Sequence, residues 1–188
     1  MKRLLFLLTL FLAVSQLKAQ RESFTEVRAG LLYVDKDEIG ESVGFRLSLA
    51  RNIAKGKFWS LQPEVGFSQY RIETGILGAQ RAVQFRTIDI MPSIKFYPLR
   101  GLHIYTGPQL SYFASIDHIT KTAEVEIEAV EDFFNFMDFG FNVGFGYELK
   151  NALSFSVNYY YGLSNIRDNN SSAEYNTNYV GLLVGLSF

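Results

Sequence analysis

The chain has 188 residues, of which 48% are hydrophobic and 15% aromatic, with a formal net charge of −1 and no cysteine. The near-neutral balance leaves no basic stripe for a nucleic-acid partner, and the missing thiols remove disulfide frameworks, Cys-based metal sites and the residue that lipoprotein anchoring modifies. Beyond Leu17 no apolar run reaches the roughly 20 residues of a membrane-spanning helix, so the hydrophobicity is dispersed along the chain.

At the amino terminus, Lys2 and Arg3 precede an almost unbroken apolar stretch from Leu4 to Leu17, and Ala19 offers a small residue at a cleavage point before Gln20. This pattern predicts a secretory signal peptide over residues 1–19 and a single domain over 20–188. The apolar run is too short for an uncleaved spanning anchor.

From there the chain alternates with a period of two in eight segments, near residues 24–34, 42–50, 57–72, 83–97, 102–115, 138–149, 153–164 and 176–188. Each is long enough for the about 9 to 11 residues that cross an outer membrane at a tilt. The second sets Val43, Phe45, Leu47 and Leu49 against Ser42, Gly44, Arg46, Ser48 and Ala50. The sixth sets Phe139, Phe141, Val143, Phe145 and Tyr147 against Asp138, Gly140, Asn142, Gly144, Gly146 and Glu148. In the last, Val180, Leu182, Val184, Leu186 and Phe188 oppose a face of mostly small residues. One greasy parity and one small or polar parity fit a wall between lipid and a narrow lumen.

The connections alternate in length, short at 52–56, 98–101 and 150–151, and longer at 35–41, 73–82, 116–132 and 167–175. Short turns belong in the periplasm and long loops outside the cell, which places both mature termini in the periplasm. The expected fold is therefore all-β, an eight-stranded antiparallel up-and-down transmembrane barrel in the bacterial outer membrane, with membrane lipid as its surroundings. Trp59, Phe96, Tyr147 and Phe188 then form a lower aromatic girdle, and Tyr33, Tyr112, Phe139 and Tyr161 an upper one. A soluble sandwich or lipocalin-like barrel would have to turn its Gly and Ser parity outward and fill a core with large rings.

Two irregularities stand out. Pro63, Pro92 and Pro108 fall inside segments, where each removes a ladder donor, so bulges or local breaks are expected beside them. In the fourth segment Val83 and Phe85 are odd while Ile88, Ile90, Ile94 and Phe96 are even, which predicts a change of phase at a bulge near Arg86 or Thr87.

The run Asp89-Ile-Met-Pro-Ser-Ile-Lys-Phe-Tyr97, the segment Tyr105-Thr-Gly-Pro-Gln-Leu110, the stretch Tyr159-Tyr-Tyr-Gly-Leu-Ser-Asn-Ile166 and the aromatic terminus resemble the small outer-membrane β-barrel family that includes PorT-like proteins. In size and architecture the chain is also similar to OmpX and to the membrane domain of OmpA. The resemblance implies the fold and carries no catalytic residues. It also implies an accessory role in protein secretion as one alternative, and recognition of the terminal aromatic strand by the barrel assembly machinery.

An eight-stranded barrel has room inside only for its own side chains. Counting from the strand ends places Arg46, Glu64, Asp89, Gln109, Asn142 and Asn158 near mid-height on the inner parity, with Arg46 as the cation between the two carboxylates. Closer to the periplasm, Arg28, Lys95, His103 and Glu148 make a second cluster. Such a plug points to a structural or interaction role exercised through extracellular loops, with a narrow channel for small solutes as the alternative.

Lipid-modifying catalysis would need a histidine beside a serine and an orienting acid. The two histidines are His103, on the inner parity near the periplasmic turn, and His118, in a long loop, and neither has such a setting. No enzyme activity, cofactor or metal is expected. In the longest loop Glu124, Glu126, Glu128, Glu131 and Asp132 cluster without EF-hand spacing, as a solvated hairpin, a weak Ca²⁺ site or a docking surface for a basic extracellular or envelope partner. Asn169-Asn-Ser171 is a formal glycosylation triplet. Deleting Phe188 is expected to lower the heat-modifiable, membrane-inserted fraction seen by electrophoresis while sparing loop-borne activity per folded molecule. An unchanged folded fraction would argue against an assembly role.

Overall fold

The computed structural model describes residues 23–34, 42–54, 56, 58–76, 79–119, 135–149, 152–165 and 176–188. The signal-peptide segment 1–19, the acidic cluster from Glu124 to Asp132 and the triplet at 169–171 lie outside the described residues. Eight strands follow one another, β1 (Phe24–Val34), β2 (Ser42–Ala54), β3 (Trp59–Ile76), β4 (Ala79–Phe96), β5 (Leu102–Ile119), β6 (Met137–Glu148), β7 (Leu153–Gly162) and β8 (Asn178–Ser187). Each pairs antiparallel with its neighbours, and β8 returns to β1 from Glu26–Ser187 to Val34–Tyr179, closing the barrel.

Alternation sets the two faces of the wall. Along β6 exposed and buried residues alternate from Met137 to Tyr147, and β8 behaves likewise through Leu186. Outward Leu31, Val43, Leu49, Phe145 and Leu182 each expose more than half of their surface, part of an apolar belt to which every strand contributes. A belt of that extent is unfavourable in water and fits a hydrocarbon surround. Trp59 faces Phe96 directly across β3 and β4, Tyr147 lies outward on β6, and Phe188 exchanges backbone bonds with Thr25 at 2.9 and 3.1 Å.

The three prolines all point outward and align across three adjacent strands. Pro63 is paired with Pro92, and the β4–β5 ladder is interrupted between Ile90–Leu110 and Ile94–Thr106, the stretch where Pro92 would face Pro108. The β2–β3 ladder is likewise interrupted between Ala50–Glu64 and Ile53–Leu61, beside Pro63. Register is the same on both sides of each gap, so these are local breaks without bulges.

The expected change of phase in β4 does not occur. Val83, Phe85, Thr87, Asp89, Met91, Ser93 and Lys95 all face inward. The register does shift between Arg86 and Thr87, but the extra residue is Ala114 on β5, where Ser115 faces Arg86 and Phe113 faces Thr87. Beyond that bulge β5 changes parity, and Ile116 packs inward against the core. Val83 and Phe85 are apolar because the lumen there is apolar.

A second difference concerns strand length. The expected long connection at 73–82 is largely strand, since β3 and β4 remain paired as far as Ile76–Ala79. β3, β4 and β5 have 18 residues each, against 10 in β7 and β8. The surplus of about 8 residues, at roughly 3.3 Å each, carries a three-stranded sheet past the rim of the remaining wall.

Leu182→Arg places a charge on the lipid face midway along β8, and is expected to cost about 2 to 4 kcal/mol in urea unfolding from bilayers. Wild-type stability would contradict the facing of β8.

Candidate functional site

The lumen holds the densest set of charged side chains among the described residues. Inward parity puts Arg28 on β1, Arg46 on β2, Glu64 on β3 and Asp89 on β4 within reach of one another. Arg46 Nη1 lies 3.0 Å from Asp89 Oδ2, and its Nη2 lies 3.2 Å from Glu64 Oε1. Arg28 Nη1 donates to the other oxygen of Glu64 at 2.8 Å. Ser68 and Thr87 hydroxyls donate to Asp89, Thr87 at 3.0 Å. The side chains of Arg28, Arg46, Glu64 and Asp89 are each at most 1% exposed. Such burial is tolerable only because the charges are paired and their remaining lone pairs are bonded.

An amide relay continues the network around the wall. Asn158 Nδ2 donates to Asn142 at 3.2 Å, Asn142 Nδ2 donates to Gln109 at 3.0 Å, and Gln109 Nε2 donates to Tyr179 Oη at 2.8 Å. Arg46 Nη1 reaches the same hydroxyl at 3.3 Å. All six residues expected at mid-height, Arg46, Glu64, Asp89, Gln109, Asn142 and Asn158, thus meet in one connected set.

The second cluster is joined to the first. Arg28, expected among the periplasmic group, bridges to Glu64 and lies 3.6 Å from Glu26. Its Nη2 donates to Ser156 at 2.8 Å, and its guanidinium sits 5.3 Å from the centre of the Tyr105 ring. Lys95 Nζ lies 3.3 Å from Glu148 and 3.8 Å from Glu26. Tyr97 Oη donates to Glu148 at 2.9 Å and receives Asn52 Nδ2 at 2.7 Å. His103 is buried between the rings of Tyr97 and Tyr105, with Nδ1 3.6 Å from Glu148. The side chain of His118 lies outside the described residues.

Glu26 was not anticipated. It accepts from Ser154 and faces both Arg28 and Lys95, which makes it the link between mid-height and rim. Its position two residues before Arg28 on the same parity is the signal that identifies it. Glycines on the inner face leave space for these side chains. A Cβ at Gly146 would come within 2.6 Å of His103 Nε2, and one at Gly66 within 3.3 Å of Arg46 Nη2.

Above the charges the lumen turns apolar. Leu32, Val34, Tyr70, Val83, Phe85, Phe113, Tyr160 and Tyr179 form one buried cluster. Tyr160 and Tyr179 stack at 4.9 Å, Phe85 and Phe113 lie 5.3 Å apart, and Tyr70 packs on Phe85 at 5.7 Å. Tyr179 joins the levels, its ring in the cluster and its hydroxyl on Arg46 and Gln109. At the outer end, Asp138 accepts from Ser164 at 2.6 Å. The chemistry of the arrangement is mutual neutralisation under an apolar stopper.

Removing Arg46 leaves Asp89 with hydroxyl donors but no cation, whereas Glu64 keeps Arg28. Arg46→Ala is therefore expected to cost about 3 to 5 kcal/mol in urea unfolding. Adding Asp89→Asn should recover part of that loss, with a coupling of roughly 0.5 to 3 kcal/mol. Additive losses would show that the pair is not coupled.

The solved structures with similar folds are small barrels. Neisserial surface protein A (NspA) is 13% identical with a TM-score of 0.54, over 88% of this chain and 97% of that one. Ail, the attachment invasion locus protein of Yersinia pestis, in complex with the heparin analogue sucrose octasulfate, is 13% identical with a TM-score of 0.52, over 89% and 100%. At that identity the likeness concerns the fold alone. No curated protein matches in sequence. The family described as outer membrane protein beta-barrel domain matches residues 8–168, most of the chain and all of β1 to β7. Lipid-facing belt, closed eight-stranded wall and family match agree, and the chain belongs to the outer membrane protein β-barrel domain family of the bacterial outer membrane.

Proposed function

We propose that this protein is a closed outer-membrane barrel that acts through the surface it presents outside the cell, and neither conducts solutes nor modifies lipid. The observation that carries the reading is the three-stranded projection of β3, β4 and β5. Above Phe45–Gln69 the β2–β3 ladder has no further pairs, and above Tyr112–Met137 the β5–β6 pairing ends with the Phe113 N–H donating to the Phe136 carbonyl at 2.9 Å. The upper parts of β3 and β5 are therefore two sheet edges without ladder partners among the described residues. Open edges offer backbone donors and acceptors to an added strand, which suits them to an extracellular protein partner.

The filled lumen supports the same reading, because two successive layers of side chains block the path that a channel would use. His103 favours no catalytic role, being buried at the periplasmic end and held beside Glu148. The orientation with long loops outside follows from connection length. An accessory role in secretion would act through the same projecting surface toward an envelope partner.

In planar bilayers the folded protein is expected to give no steady current, and stepwise conductance would favour the solute channel. In intact cells, photocrosslinkers placed on the upper part of β5 should capture extracellular or envelope protein. Crosslinkers at the periplasmic turn near Gly101 should not, and equal capture at both ends would overturn the reading.

A further inference from the structure

The place where β2 and β3 part has a chemistry of its own. Both strands continue past Phe45 and Gln69, but β2 follows β1 up to Val34–Ser42 and β3 follows β4. The Ser42 hydroxyl, donating to the Arg71 carbonyl, makes a hydrogen bond across the seam above that point. A cavity of about 430 Å³ opens there, within the roughly 300 to 1,000 Å³ typical of small-ligand clefts. Its floor is Gly44 and Tyr70, the latter part of the aromatic stopper.

The two sides of the mouth differ in kind. On the β1–β2 side stand Leu31, Val43 and Phe45, exposed by 57%, 66% and 43% and continuous with the lipid-facing belt. On the β3–β4 side stand Gln69, Arg71 and Gln84, outward-facing and polar, directly above the point where Phe67 and Ile88 end the belt. Arg71 has no ion pair among the described residues. Nearby Arg86 is already committed, 2.7 Å from Asp117, and its Nε donates to the side-chain Oε1 of Gln69 at 3.3 Å. That bond uses Oε1 of Gln69, which lines the cavity, and not its amide donors.

We propose that this seam binds one phosphorylated lipid of the outer leaflet, its acyl chain on Leu31, Val43 and Phe45 and its phosphate on Arg71 and Gln69. The cleft is amphipathic in the order a lipid is, apolar where the belt continues and cationic at the boundary. The surrounding phase supplies acyl chains, and a guanidinium without a carboxylate partner among the described residues matches a phosphate. The proposal rests on the orientation with the long strands outside. A soluble anion could share the Arg71 contact, but it would make no use of the apolar side.

The test is retention of lipid by the full-length folded protein in native mass spectrometry, with bis-phosphorylated lipid A as probe. One lipid per barrel is expected. Arg71→Glu and Val43→Trp should each lower retention about tenfold, whereas Arg51→Glu, outward at the periplasmic end, should not. Heat-modifiability verifies that each variant is folded. Equal retention of the dephosphorylated lipid, displacement by millimolar inorganic phosphate, equal losses in Arg71→Glu and Arg51→Glu, or no retained lipid would each overturn the site. Loss of the site with no current through the barrel would leave the closed-barrel reading standing.

Discussion

Eight strands close around a space that only side chains can fill, so the charges directed inward must find their partners within the wall. Among the described residues three cations, Arg28, Arg46 and Lys95, face four carboxylates, Glu26, Glu64, Asp89 and Glu148, with the His103 imidazole beside the last. Charges come from β1, β2, β3, β4 and β6, while β5, β7 and β8 supply amides, hydroxyls and Tyr179. Each strand is thus tied to others across the lumen as well as to its neighbours along the ladder. The interior gives the closed wall a definite register, because sliding one strand by one residue would turn its charges to the lipid.

The aromatic stopper answers the same constraint differently. Where the strands rise beyond the charged level, Tyr70, Phe85, Phe113 and Tyr160 fill the section with rings, and Tyr179 gives its hydroxyl to the level below. The lumen therefore passes from a level of charges and amides to a level of rings, with the Asp138 carboxylate at its outer end. An inward face with that layering cannot be described by a single rule of polarity.

That layering explains which parts of the structure were legible in the sequence. The bounds of β1 and the facing of β2, β6, β7 and β8 followed from alternation, since lipid imposes one chemistry on one side throughout. The clamp of Arg46 on Glu64 and Asp89 followed from counting heights along strands of known parity. Val83 and Phe85 misled because apolar residues were assigned to the lipid side, although at that height the inside is apolar too. Arg28 belongs to both groups, because its guanidinium lies between Glu64 and Glu26 and residue counting assigns a long side chain to a single level. The upper extensions of β3 and β4 were missed because their alternation belongs to a sheet outside the membrane, where neither face is held to one chemistry.

The bulge on β5 gives that strand an unusual arithmetic. From His103 to Phe113 inward residues are odd, and beyond it Ile116 turns inward, so Ala114 is the one residue by which β5 outnumbers its partner β4. Shortening the chain at Ala114 would leave His103 through Phe113 and also Ile116 on their present sides, merely straightening the strand. Shortening it at Leu110 would set the two halves against each other, sending a ring or a polar amide to the wrong side. In the language of insertions and deletions, β5 has a single position at which its length is negotiable.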